Sequence, residues 1–440
     1  MIRYHARWVL PVSAPPIRDA TVAVDGARIA YVGPRAGAPP GEDRDFGEAL
    51  LMPGLVNAHT HLELTVFRGM LDGLSFREWI VQLQRAKTET MTRERYLQSA
   101  LLGIDEGLRA GITTYADTCD SGVALEAMRT MGVRGIMYQE VFCPSPDPAQ
   151  VSRAAAALTA KLAVLEPLET ELQRLGISPH APYTCSDPLL ALAARSRRPI
   201  AIHIAESLDE TLLLRDAAGA FAGPLRARGI AVAPRARSPI ELLEKLGVLA
   251  ARPAPLLVHC VQLDPLDIQS IAASGASVAH CPISNARLGH GIAPLLELLD
   301  AAIPVGLGSD SMASNDRMHL LEEARAAVLA QRIRTRTPDA LPPARALELA
   351  TIGGARALGL ASRIGSLEAG KDADLAAFPL PPSRAPDSAD PHSLAVFALG
   401  ASEACLVTVA GREVRESRKQ RAESRDELQA SGGRGQEAGK

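Results

Sequence analysis

Aromatic side chains make up only 3% of the 440 residues, so any core must be packed from aliphatic groups, chiefly Ala and Leu. A surplus of one charge is also missing. The formal net charge is -3, with no basic excess to draw in nucleic acid or an anionic membrane surface, and neither partner is expected. No apolar run reaches the roughly 20 residues that a spanning helix needs. The opening stretch MIRYHARWVLPVSAPP is broken by Pro11, Pro15 and Pro16 before an export-signal core could form, so the expected location is the cytoplasm. Six cysteines without paired spacing argue against a disulfide framework, and a CxxC zinc site is absent. Cys260 and Cys281, each directly after a histidine, are expected as buried reduced thiols. What is present, 47% apolar and 22% charged residues, is the composition of a globular protein able to bury a large core.

Short β-rich segments and turns fill residues 1–52, and the same texture returns in 361–415 with IGSLEAGKDADLAAF and ACLVTVAGREV. Both ends are expected to form one small composite β-sandwich. Between them, over 53–360, apolar strand-like runs alternate with amphipathic helix-length stretches, the pattern of βα units around a parallel sheet. The runs are 51–59, 112–118, 135–142, 176–181, 200–206, 256–261, 277–282 and 305–310. Eight such units close a (β/α)8 TIM barrel, an α/β fold, although a doubly wound open sheet gives the same alternation. The segment 207–255 is a long insertion, expected over the barrel mouth. The Pro- and Asp-rich stretch 379–393 reads as an irregular loop, and 416–440 as a disordered polar tail.

The placement of the ten histidines is the most informative feature. His59, His61, His180, His203, His259 and His280 all fall at or near C-terminal ends of the proposed strands, which in a barrel converge on one mouth. His59 and His61 alternate on one strand, so both imidazoles share a face. Together with His203 of HIAE and Asp310 of GSDS they offer three nitrogens and one carboxylate. That set leaves a coordination position for water, as a catalytic metal site requires. A divalent ion is expected there, with Zn first and Fe or Mn also suited to such ligands.

The ordered motifs PGLVNAHTHLELTVFRG, SPHAPYTCS, HIAE, LVHC, AHCPISNARLGHGIAP, GLGSDS and GSLEAGKDADL resemble the amidohydrolase superfamily across nearly the whole chain. Within it they are similar to the branch of S-adenosylhomocysteine, methylthioadenosine and aminofutalosine deaminases and triazine chlorohydrolases. The resemblance implies the barrel and a sandwich made from both chain ends. It also implies one metal rather than two, because the fourth strand carries His180 and no bridging Lys. Glu206 is then expected to move protons between water, ring nitrogen and leaving ammonia, with Asp310 serving both as ligand and in catalysis. His259 would orient the nucleophile and stabilise the tetrahedral intermediate. His180, Arg68 and Glu140 are expected to contact the substrate. His280 is expected to hydrogen-bond ligands or shape the pocket wall, and Ser309 and Ser311 to hold the Asp310 carboxylate. His5, His290, His319 and His392 read as structural or surface residues, although His290 lies in a loop that could face the mouth.

The resemblance further implies removal of an amino group from a 6-aminopurine nucleoside. In homocysteine- and methylthioadenosine-type deaminases, a Glu after a similar RG...W segment holds the ribose hydroxyls. Here that position falls near Thr88, and the Pro-x-Glu context is missing. FREWI and the insertion ending SPIELLEKLGVLAARP are more similar to aminofutalosine deaminases of the menaquinone route, which make futalosine and ammonia. Their benzoate-bearing substrate would want a cation, available from Arg68, Arg77 or an arginine of 226–237. The alternatives are S-adenosylhomocysteine, methylthioadenosine or adenosine deamination, or an aminohydrolase or chlorohydrolase acting on triazine-type heterocycles. A noncatalytic scaffold on the same barrel would typically have lost metal ligands that are all present here. A homodimer is compatible with the sequence.

Overall fold

The computed structural model describes residues 1–380 and 389–416; the expected tail beyond 416 and most of the 379–393 loop lie outside them. Within that loop the described part ends differently from the expectation, because Pro391–Ala398 is a helix capped by Asp390.

Eight parallel strands form the barrel: β1 Leu55–Thr60, β2 Ile112–Cys119, β3 Arg134–Val141, β4 Gln173–Pro179, β5 Ala201–Ile204, β6 Leu256–His259, β7 Ser277–His280 and β8 Val305–Leu307. Consecutive strands pair in parallel within two four-stranded runs, β1 to β4 and β5 to β8. Parallel bridges Ile177 to Ile200 and Thr60 to Asp310 join the runs into a ring, which decides for the barrel over the open sheet. Alternation sorts the strand residues into two layers. Val56, Ala58, Ala116, Ile136, Tyr138, Ala201, Val258 and Ala279 pack with one another. Ile202, Leu257, Val278 and Val305 instead join helix residues such as Ile104, Leu190, Ile240 and Leu321. Burial on both faces explains why these strands read as nearly continuous apolar runs.

The run 51–59 is two strands rather than one. Ala49–Pro53 belongs to another sheet, and β1 begins after Gly54. A side chain at Gly54 would meet Thr113 of β2 at 2.3 Å, so the chain can pass between the two sheets only as glycine.

Both chain ends meet in an eight-stranded sheet. Its path runs Arg412–Glu416, Leu406–Val409, Leu375–Pro379, Ala49–Pro53, Ile2–Val9, Ile17–Asp25 and Arg28–Pro34, with Glu42–Asp45 also paired to Ile2–Val9. Tyr4, Val22, Ile29, Leu51, Leu375 and Leu406 form its own apolar cluster. A buried ion network ties it to the barrel. Arg134, at the start of β3, meets Asp372 and Asp374 at 2.9 Å each, and all three side chains are only 2% exposed. The GKDADL motif thus supplies the carboxylates of this joint.

At the opposite ends of the barrel strands, two segments cover the mouth. The helix Phe76–Thr90 starts at a capping box between Ser75 and Glu78, and its Trp79 indole donates to the Ala313 carbonyl at 3.3 Å. The 207–255 insertion adds the helices Leu208–Asp216, Ala222–Ala227 and Pro239–Lys245. No helix among the described residues is long and apolar enough to cross a membrane.

Candidate metal centre and substrate cavity

His59 lies near the end of β1 and His61 directly after it, His203 lies on β5, and Asp310 follows β8 by three residues. Their side chains converge, as expected for the metal set. The Nε2 atoms of His59 and His61 lie 3.3 and 3.6 Å from Asp310 Oδ1, and the Nε2 atoms of His61 and His203 are 3.2 Å apart. His59 Nε2 is fully buried and outside hydrogen-bond geometry with any atom of the described residues, as suits a ligand atom of a cation. His203 Nδ1 donates to the His180 carbonyl at 3.0 Å, which leaves its Nε2 with a lone pair facing the centre. Burial lowers the pKa of His59, pushes that of His61 well below the ordinary imidazole value and takes that of His203 to about 3. Against the upward effect of burial, the imidazoles of His59, His259 and His61 hold Asp310 well below the usual carboxylate range. Neutral imidazoles around an ionised carboxylate are the protonation states that a divalent ion requires, so the residues present fit the ion.

The partners of Asp310 differ from the expected pair. Its Oδ2 accepts from Ser284 and from Ser314, the latter at 2.9 Å. Ser309 instead exchanges hydrogen bonds with Asn57, and Ser311 caps the short helix Met312–Asn315. Both neighbours are turned away because Asp310 itself sits at φ +54°, rotating the chain between them. Ala205, His259 and Cys260 also adopt positive φ, so backbone strain collects where the strands deliver their functional groups.

Glu206 sits beside this set. Its Oε1 lies 3.6 Å from His259 Nε2 and 3.2 Å from His290 Nε2. Burial would raise the carboxyl pKa, but His259, His290 and His203 outweigh it and hold Glu206 below its ordinary value. His259 Nδ1 pairs with Asn285 Oδ1 at 3.0 Å, which turns the other ring nitrogen toward Glu206. His290 is therefore a site residue and not a structural or surface one; its ring also stands edge-on to Phe76 at 4.6 Å. His280 is buried, but neither ring nitrogen has a hydrogen-bond partner among the described residues, so it bonds none of the ligands.

A cavity of about 470 Å³ opens above these groups. Phe76, Trp79, Phe142, Tyr183, Phe221, Leu225 and Leu288 give it an apolar and largely aromatic wall, in which Tyr183 and Phe221 stack at 4.3 Å. His180 and Glu140, the expected substrate contacts, are among its lining residues. Arg68 does not. It sits where the short helix Leu62–Phe67 ends, half exposed, and is neutralised by Glu106. Thr88 is exposed and bonds back to the Gln84 carbonyl, while Glu89 pairs with Arg85. Lys87 of the same helix reaches the cavity instead, and sequence reading missed it. Arg77 and Arg228 line the outer cavity, and neither makes a salt bridge or side-chain hydrogen bond among the described residues.

Residues 50–413 match the model of the amidohydrolase family. A 5-methylthioadenosine/S-adenosylhomocysteine deaminase of Syntrophobacter fumaroxidans is 33% identical over 409 residues, covering 90% of this chain and 88% of its own. A zinc-bound adenosine deaminase from Xanthomonas campestris superposes with a TM-score of 0.81 at 28% identity, over 98% of each chain. Helicobacter pylori aminofutalosine deaminase, solved with methylthio-coformycin, shares the fold at a TM-score of 0.79 and 21% identity, over 94% of this chain and 100% of its own.

Proposed function

Since this chain belongs to the amidohydrolase family, whose model matches residues 50–413, we propose that it is a one-metal deaminase of 6-aminopurine nucleosides, with 6-amino-6-deoxyfutalosine as its substrate. The product would be futalosine plus ammonia, placing the enzyme in menaquinone biosynthesis. One observation carries the reading: His59, His61, His203 and Asp310 converge at the floor of a cavity whose wall also holds Glu206, His259 and His180.

Those four residues would hold the ion, with zinc the first choice, and when bound it supplies the charge that makes water acidic enough to attack near neutral pH. Glu206, kept ionised by its imidazole neighbours, takes the proton of the attacking water. It delivers that proton to the ring nitrogen, and as the tetrahedral intermediate collapses it moves the second proton, from the newly formed hydroxyl, to the amino group, which departs as ammonia. His259, aimed by Asn285, keeps the nucleophile in line and offsets charge on the oxygen of the tetrahedral intermediate. His180 has Nδ1 bound by Thr184 at 2.8 Å and its ring 4.8 Å from that of His203, a position from which it can grip the purine.

An aromatic carboxylate at the far end of the substrate suits the stacked Tyr183 and Phe221 rings and the free guanidinium groups of Arg77 and Arg228. A second reading, deamination of methylthioadenosine or S-adenosylhomocysteine, is favoured by the names of relatives about one-third identical, such as that of Syntrophobacter fumaroxidans. Ammonia release by the metal-loaded protein from aminofutalosine, S-adenosylhomocysteine, methylthioadenosine and adenosine decides between them. The first should give the highest kcat/KM. Comparable values across the panel remove the preference, and ammonia from none of them removes the nucleoside reading.

A further inference from the structure

The wall of the cavity next to His180 holds two groups that the chemistry above leaves unused. The Lys87 side chain is only 12% exposed, yet its ammonium donates no hydrogen bond among the described residues. Its nearest anion, Glu63, is a loose 3.9 Å away and is already occupied. Glu63 accepts from Cys119 Sγ at 3.1 Å, from the backbone of Asp120 and Ser121 at 3.3 and 3.1 Å, and from the Ser121 hydroxyl. Three donors of Lys87 are therefore unspent on a cavity-lining residue. Glu140, on β3, is 5% exposed, and its Oε1 is buried without a partner. One of its carboxyl oxygens lies within 4.8 Å of ring nitrogens of both His180 and His203, so it borders the space for the reacting ring. Buried groups left this way carry a desolvation cost that a ligand can offset.

Resting on the nucleoside reading, we infer that Lys87 and Glu140 form the subsite for the ribose diol, gripping the 2′- and 3′-hydroxyls from the side next to His180. Lys87 and Glu63 bring both signs of charge together here, which disfavours a lone anion beside Glu63 and a lone cation beside Lys87. Vicinal hydroxyls are neutral and each both donates and accepts, which matches an ammonium and a carboxyl lining one cavity. The pair takes the role of the carboxylate missing at Thr88, from the adjoining, inward face of the same helix and from β3.

The test measures kcat/KM of the metal-loaded full-length protein for adenosine, 2′-deoxyadenosine and 3′-deoxyadenosine, read as ammonia release. In the parent protein each missing hydroxyl should lower kcat/KM by about 10- to 100-fold. In Lys87→Met and in Glu140→Leu the ratio of ribo- to deoxynucleoside should collapse below about 3-fold, and Glu140→Gln, which keeps shape and some hydrogen bonding, should fall between. Because the ratio compares substrates on the same folded, metal-replete molecules, a purely structural loss lowers all rates and preserves it. A preserved ratio in both variants, or none in the parent, overturns the diol subsite while leaving deamination standing. Absence of ammonia from these three nucleosides and from aminofutalosine overturns both.

Discussion

Glu206 stands against two imidazoles, His259 and His290, that oppose the effect of its burial. Removing one of them with His290→Leu lets burial raise the carboxyl pKa. A base that must be ionised then works only at higher pH, so the acidic limb of the kcat/KM profile should shift upward. An unmoved limb would show that His290 does not act on Glu206. Asp310 offers a second case, because Ser284 and Ser314 hold the oxygen that is not turned to His59 and His61. Ser284→Ala should weaken metal binding by about 10- to 100-fold, measured by competition with a chelating dye. A loss of less than about 2-fold would assign the hydroxyl a packing role only. The ligands themselves were legible in the sequence because each sits at the end of an apolar run. Their supports were not, since Ser284, Asn285 and Ser314 reach the site from the short helices Pro282–Arg287 and Met312–Asn315, where nothing in the spacing marks which side chain turns inward.

At the level of elements, the helix Phe76–Thr90 carries Phe76, Arg77, Trp79 and Lys87 into the cavity wall, and its first turn is fixed by the Ser75–Glu78 box. Ser75→Ala should cost about 1 kcal/mol in denaturant unfolding and raise KM more than it lowers kcat. An unchanged KM would mean that the helix holds its place by Trp79 and packing alone. The sequence showed that this helix belongs to the substrate end, through FREWI, but pointed to the wrong face: counting along a motif reached Thr88, whereas the helical phase turns Lys87 inward. Arg68 failed for a similar reason, because the short Leu62–Phe67 helix reorients the chain just before it. Strand positions survived better, since complete burial writes itself into composition. The exception was the segment around Gly54, where two strands of different sheets abut with no polar residue between them.

For the whole molecule, the joint of Arg134 with Asp372 and Asp374 couples the barrel to the terminal sheet. Arg134→Leu would leave buried carboxylates without their main partner, although Arg28 and Arg363 still reach Asp372 at 2.7 and 2.9 Å. The variant should lose about 3 kcal/mol in denaturant unfolding, and a loss below about 1 kcal/mol would make the network dispensable. The terminal sheet also sets an order of events during synthesis. Leu50 pairs with Phe378 and Met52 with Ala376, so while the first strands pair with one another as they emerge, the other edge of Ala49–Pro53 finds its partner only when almost the entire chain has followed. Until then the Ala49–Pro53 edge stays open to intruding chains. A circular permutant that joins the two ends and opens the chain on the barrel surface would make those partners neighbours in time as well as in space. It should refold faster and aggregate less.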